Sequence, residues 1–100
     1  MILYNVTVNI DPTVHEEWLE WMKDEHIPAV MQTGCFLSNN IFRLLTTQEG
    51  EGFTYSFQYT CESMDHLQRY IDQFAPALQK EHSERYKDKF VAFRSLLEKI

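Results

Sequence analysis

Two stretches of this chain alternate so regularly that each must be a strand with one buried face. In residues 2–10, Ile2, Tyr4, Val6, Val8 and Ile10 fall on one side, and Leu3, Asn5, Thr7 and Asn9 on the other. In residues 53–60, Phe53, Tyr55, Phe57 and Tyr59 oppose Thr54, Ser56, Gln58 and Thr60. A period of two sends successive side chains to opposite faces of a sheet, so each strand has one apolar face that something must cover.

The cover follows each strand directly. Asp11-Pro12-Thr13 ends the first strand and opens a helix, with Asp11 or Thr13 as N-cap and Glu16 and Glu17 in the first turn, where the helix dipole favours negative charge. Val14, Trp18, Leu19, Met22, His26, Ala29 and Val30 then make one stripe at helical spacing. Pro28 lacks the N–H that a helix interior needs, so it should kink this helix or begin a new turn, and Gly34 reads as the stop. After the second alternating strand, Ser63 caps another helix with Asp65 in its first turn and an expected apolar ridge of Met64, Leu67, Ile71, Phe74 and Leu78. Pro76 breaks that helix, and 77–88 continue as a charged helical segment.

Two less regular segments complete the set. Residues 35–47 read as an extended stretch joined to the next strand by a hairpin turn at Gln48-Glu49-Gly50-Glu51-Gly52. Residues 89–98 are rich in aromatic and β-branched residues and supply the fourth strand. The order β-α-β-β-α-β predicts an α+β, ferredoxin-like subunit: an antiparallel sheet with its helices on one face, as a single domain over 1–100.

Composition narrows the function classes. The chain has 100 residues, 15 acidic against 9 basic, for a formal net charge of -6. No basic patch stands out, so a nucleic-acid partner is not expected. No apolar run is long enough for a transmembrane helix and the first residues lack a secretory pattern, so a cytoplasmic protein without a membrane partner is the expectation. Cys35 and Cys61 are too few for a disulfide framework and lack the spacing of a zinc site. Nothing in the sequence calls for a metal or a cofactor.

The face of the sheet away from the helices is unusual. It carries Leu3, Asn5, Thr7, Asn9, Thr54, Ser56, Gln58 and Thr60, of which none is charged and all but Leu3 are polar. A solvated face usually carries Lys, Glu and Arg, and a fully buried one is apolar. Small neutral hydrogen-bonding groups fit a face that a partner subunit covers around water or a polar ligand, against the plainer reading of an ordinary exposed face. The outer strands carry apolar residues on both sides, Cys35, Leu37 and Ile41 against Phe36, Phe42 and Leu44 in one, and Phe90, Ala92 and Leu96 against Val91, Phe93 and Leu97 in the other, which is a liability at a sheet edge unless a second copy covers it. A homodimer with a small-molecule ligand is therefore expected, with Asn5, Thr7, Ser56 and Gln58 as ligand-binding residues and Arg43 meeting any anionic group.

No catalytic motif is present, and candidates for chemistry are single residues. His26 would act as a general base beside a polar cavity, or else satisfy backbone carbonyls freed by Pro28. His15 lies about 16 Å from it along a helix, too far to share a metal ion. His82 and Tyr86, with Glu81 and Arg85 beside them, read as an exposed, salt-bridged helix face. Arg43 and Arg94 stand in otherwise apolar strands, and each needs a carboxylate or waits for an anionic ligand. Trp18 and Trp21 read as core or interface packing.

Beyond these single residues, the run Trp18-x-x-Trp21-Met22-x-x-x-His26-Ile27-Pro28-x-Val30-x-x-Thr33-Gly34-x-Phe36, after Tyr4-x-Val6-x-Val8, resembles the dimeric α+β barrel superfamily. Ala75-Pro76-Ala77-Leu78 and Phe90-Val91-Ala92-Phe93-Arg94 add to the likeness. The superfamily includes cofactor-independent monooxygenases of antibiotic biosynthesis, muconolactone isomerases and stress-induced barrel proteins, and the chain is most similar to a short bacterial domain family of unknown function within it. The resemblance implies a ferredoxin-like subunit that pairs with its twin as a dimeric barrel, with a cavity between sheet and helices or at the barrel mouth. It also implies cofactor-free oxygenation or isomerisation, with His26 as base, as an alternative to simple binding. A structural module without a ligand is the third reading, because one scaffold serves many functions.

Overall fold

A computed structural model describes residues 1–46 and 52–100. Its elements follow the expected order: β1 (Ile2–Ile10), α1 (His15–Trp21), a wider helical turn (Met22–His26), α2 (Ile27–Gln32), β2 (Ser38–Arg43), β3 (Phe53–Cys61), α3 (Met64–Gln73), α4 (Ala75–Arg85) and β4 (Phe90–Glu98). The sheet order is β2-β3-β1-β4, antiparallel throughout. The two alternating strands are thus central and pair in register, with Val6 opposite Phe57 and Asn5 opposite Gln58. The expected hairpin turn lies outside the described residues except for Gly52.

Ile2, Tyr4, Val8 and Ile10 from β1 and Tyr55, Phe57, Tyr59 and Cys61 from β3 are buried under the helices, as their alternation demands. Trp18, fully buried, packs edge-on against Phe57 with ring centroids 5.6 Å apart. Tyr4, Phe36, Tyr59 and Tyr70 form a second aromatic cluster, whose tightest pair is Phe36 with Tyr70 at 4.8 Å. Such pairs stabilise by about 0.5–1.5 kcal/mol beyond their buried area. Among the described residues no helix is long and apolar enough to cross a membrane.

The helices differ from the sequence expectation in three places. First, the stripe of the first helix shifts at Pro28. Without an N–H, and with a ring that crowds the carbonyl four residues back, Pro28 cannot continue a tight helix. The chain widens by one residue just before it, so that the Ile27 N–H reaches the Met22 carbonyl five residues earlier. Buried positions then run Trp18, Met22, Ile27, Val30, and His26 is left half-buried at the rim of the core. Second, α3 buries Leu67 and Tyr70, whereas Ile71 and Met64 of the expected ridge are exposed. Third, His82 on α4 and Tyr86 just after it do not face solvent; both are buried. The two caps stand as read: Asp11 Oδ1 accepts from the Thr13 N–H at 2.8 Å, and Ser63 Oγ accepts from the His66 N–H at 3.4 Å.

Two glycines occupy left-handed backbone. Gly34 has φ +75° with open space where a Cβ would sit, whereas at Gly52 (φ +83°) a Cβ would lie 2.5 Å from the Ile10 carbonyl oxygen. Gly34→Ala is expected to cost about 1 kcal/mol, from backbone conformation alone. Gly52→Ala should cost at least about twice that, because strand β1 must also move. Urea unfolding midpoints of the two variants check the ranking, and equal losses would refute the close approach at Gly52.

Candidate functional site

A cavity lies between the helices and the β1–β4 half of the sheet. Its floor comes from Tyr4, Val6 and Val8 on β1, Phe57 and Tyr59 on β3, and Ala92 and Arg94 on β4; Met22, His26, Val30, Tyr70, Gln79, His82 and Ser83 close it from the helices. Its volume is about 50 Å³, room for a few water molecules or a small polar group. The lining runs from buried Phe57, Tyr59, Tyr70 and His82 to exposed Ser83 and Arg94, which mark its solvent side.

Local sequence explains how the polar groups arrive there. The widened turn before Pro28 sets His26 at the rim, where its Nδ1 is buried without a hydrogen-bond partner. Pro76 restarts the helix as α4 and carries His82 over the sheet, where its ring meets Phe90 edge-on at 4.3 Å. The Trp18 Nε1–H donates to His82 Nε2 at 2.9 Å. The His26 and His82 ring centroids are 5.8 Å apart. Alternation along β4 turns Arg94 to the helix side opposite Val6, and its Nε donates to the Tyr4 hydroxyl at 3.1 Å.

These surroundings set the protonation states. Burial, then the Arg94 guanidinium, pushes His26 down to about 4. Burial, then His26 and Arg94, lowers His82 to about 4. Both imidazoles are therefore neutral at pH 7. Burial raises the Tyr59 and Tyr70 hydroxyls well above the ordinary tyrosine range, which keeps them protonated. An uncharged His26 has one N–H and one bare ring nitrogen, so it can accept or donate one proton, the minimum needed for acid–base work.

The sequence-predicted residues do not converge on one place. His26 lines the cavity. Asn5, Thr7, Ser56 and Gln58 lie on the opposite face of the sheet, hydrogen-bonded to one another: Asn5 Nδ2–H donates to Thr7 Oγ1 at 3.1 Å, Ser56 Oγ–H to Asn5 Oδ1, and Gln58 Nε2–H to Ser56 Oγ at 3.3 Å. Arg43 is exposed on the far edge strand, outside the cavity. Neither arginine joins the ion pairs found among the described residues, Glu62 with His66 and Glu84 with Lys80. His15 is structural: its Nε2 meets the Tyr55 hydroxyl at 2.6 Å and its ring stacks on Phe53 at 3.9 Å. Sequence reasoning missed His82. Its spacing from Leu78 and Ala75 held the signal, which neighbouring Glu81, Glu84 and Arg85 masked. Among the described residues no cluster of three or more metal-ligating side chains occurs.

The profile of a domain family of unknown function, DUF4286, matches residues 1–100. The chain belongs to that family. Solved structures agree on the fold. An EthD family protein of Bacillus halodurans superposes with a TM-score of 0.71 at 13% identity, covering all of both chains. A dimeric ferredoxin-like protein from an uncultured marine organism gives 0.72 at 14%, over 99% of this chain and 96% of that one. SnoaB, a cofactor-independent oxygenase of Streptomyces nogalater, gives 0.69 at 11%, over 98% and 91%. At such identities the likeness is one of architecture, and it agrees with the dimeric α+β barrel resemblance of this DUF4286 chain. No curated protein matches it.

The two histidines make stability depend on pH with a definite sign. The folded state holds both pKa values near 4, below the unfolded value near 6.5, so the unfolded chain binds more protons in between. Stability should therefore be full above about pH 6.5 and fall as the pH drops towards about 4. His82→Gln, which removes one of the two titrations, is expected to shrink the loss of Tm between these limits; an undiminished loss would move the cause elsewhere.

Proposed function

We propose that this DUF4286 protein is a homodimer that binds a small polar or aromatic metabolite at the cavity between sheet and helices, with a polar group of the ligand inside and the rest at the open side beside Ser83 and Arg94. The observation that carries the reading is the buried, unpartnered Nδ1 of His26 on the wall of a cavity that also holds Arg94. A buried polar atom without a partner costs about 1–3 kcal/mol, which a ligand or a water would recover. The dimer is supported by the outer sheet face. Val91 is 70% exposed, Phe93 61% and Phe42 53%, and they flank the neutral Asn5–Thr7–Ser56–Gln58 network on both sides. In this reading a second copy covers that face, and the network becomes an internal polar layer instead of a solvated one. Asn5, Thr7, Ser56, Gln58 and Arg43 then bind a ligand only where the pairing leaves a gap beside them. Two buried free thiols, Cys35 and Cys61, go with a reducing, cytoplasmic setting in a bacterial cell.

A second reading makes the protein an enzyme, with His26 moving a proton on the bound molecule in a cofactor-free oxygenation or isomerisation. The same nitrogen favours it, because an imidazole held neutral at pH 7 is ready to accept a proton. The architectural likeness to a cofactor-independent oxygenase keeps this chemistry within the fold's range.

Light scattering over a dilution series should give twice the chain mass, and Val91→Asp with Phe93→Asp should halve it. A wild-type monomer would end the dimer reading. A metabolite screen by thermal shift should then yield ligands whose effect Arg94→Ala abolishes. With such a ligand in hand, His26→Ala should lose affinity if the site only binds, and lose turnover at retained affinity if it is an enzyme. If His26→Ala changes only Tm, the cavity is structural and both readings fall.

A further inference from the structure

The bond between Trp18 and His82 decides more than packing. An indole nitrogen is only ever a donor, so the His82 Nε2 that faces it at 2.9 Å must carry a lone pair. With the ring neutral, the single proton then sits on Nδ1. That nitrogen has no hydrogen-bond partner among the described residues, and His82 lines the cavity. Protonating Nε2 would set two donors against each other in a buried place, so Trp18 holds His82 in one tautomer.

The rest of the lining has the same polarity. The Arg94 guanidinium gives one donor to Tyr4 and keeps others, and buried Tyr59 and Tyr70 hold their protons. No Asp or Glu lines the cavity among the described residues, although the chain as a whole carries a net charge of -6. An acidic protein that keeps carboxylates away from one cavity, and places a guanidinium and a fixed N–H there, has made a local site for negative charge.

We propose that His82 is a fixed hydrogen-bond donor and that the cavity selects a ligand carrying an anionic oxygen, a carboxylate or enolate, met by His82 Nδ1–H and Arg94. The proposal rests on the cavity being the ligand site and specifies the chemical class that it takes. Trp18 is a positioning residue that acts through His82. His82 is thereby unsuited to take a proton, which leaves His26 as the one imidazole in the cavity for such a step.

The test uses the full chain with ¹⁵N-labelled histidine. Two-bond ¹H–¹⁵N spectra at neutral pH should show His82 Nδ1 protonated and Nε2 bare, and Trp18→Phe should release the ring to a mixture of tautomers. Acetate and benzoate, titrated beside acetamide and benzamide, should shift the His82 Nδ1–H signal and bind at least about 10-fold more tightly than the amides, as hydrogen bonds to a charged group do. His82→Leu should lose that preference. His82→Gln should keep it, because a glutamine oxygen can accept from Trp18 while its NH₂ donates to the ligand. A protonated Nε2, or a preference lost in His82→Gln although that variant is folded, overturns the donor role. Equal binding of acids and amides overturns the proposal and leaves the cavity as a ligand site; no binding of any of the four probes up to solubility removes both.

Discussion

The indole of Trp18 ties the layers of this protein together. It reaches β3 through Tyr55 and Phe57, at 5.5 and 5.6 Å between ring centroids, and α4 through its hydrogen bond to His82. Fully burying a tryptophan removes roughly 150–250 Å² from water, about 4–6 kcal/mol of gross driving force as an upper bound. The indole N–H would waste part of that if it met only hydrocarbon, since an unpaired buried donor costs about 1–3 kcal/mol. His82 provides the acceptor. A neutral histidine in the core is therefore a structural need of Trp18 before it is anything else, and its remaining N–H follows from that need.

The sheet divides labour between its faces by the same alternation that made it legible. Towards the helices every second residue of β1 and β3 is apolar or aromatic, and the core closes there. Away from them the central strands hold neutral polar residues that satisfy one another, with apolar Phe42, Val91 and Phe93 on the edge strands. Polar groups paired among themselves can be covered at small cost, whereas Lys or Glu in those positions would resist desolvation. One face is thus committed within the subunit, and the other is compatible with a covering partner without demanding a ligand there.

How much of this the sequence disclosed depended on the period of each element. A strand has a period of two that survives local perturbation, so the buried sets of β1 and β3, the central position of both and the order of the elements were all readable. Helical faces were less secure, because one residue more or less turns the stripe by about 100°. Pro28 announced a disturbance but not its form: the widened turn moved burial from His26 to Ile27 and left the His26 ring at the rim. In α3 the choice between Tyr70 and Ile71 fell to Tyr70, whose ring completes the cluster with Tyr4 and Phe36, a tertiary contact that no helical spacing reveals. His82 was hidden by its charged neighbours Lys80, Glu81, Glu84 and Arg85, since a helical stretch with such a run looks exposed on every side until the sheet beneath it is known.

The same reasoning explains why the candidate site was only half visible. His26 stood out because a histidine two residues before a proline in a helix is conspicuous, but Arg94 and His82 acquire meaning only once β4 lies beside β1 and α4 lies over both. Arg94 and Arg43 look alike in sequence, each a lone cation among apolar neighbours. Topology separates them: β4 borders β1, under the helices that carry His26 and His82, while β2 lies on the far edge beyond β3. The cavity therefore owes its positive character to which edge strand lies under His26 and His82. A chemical site on this scaffold can accordingly change sign with one substitution on β4 while the core, set by the central strands and Trp18, stays as it is.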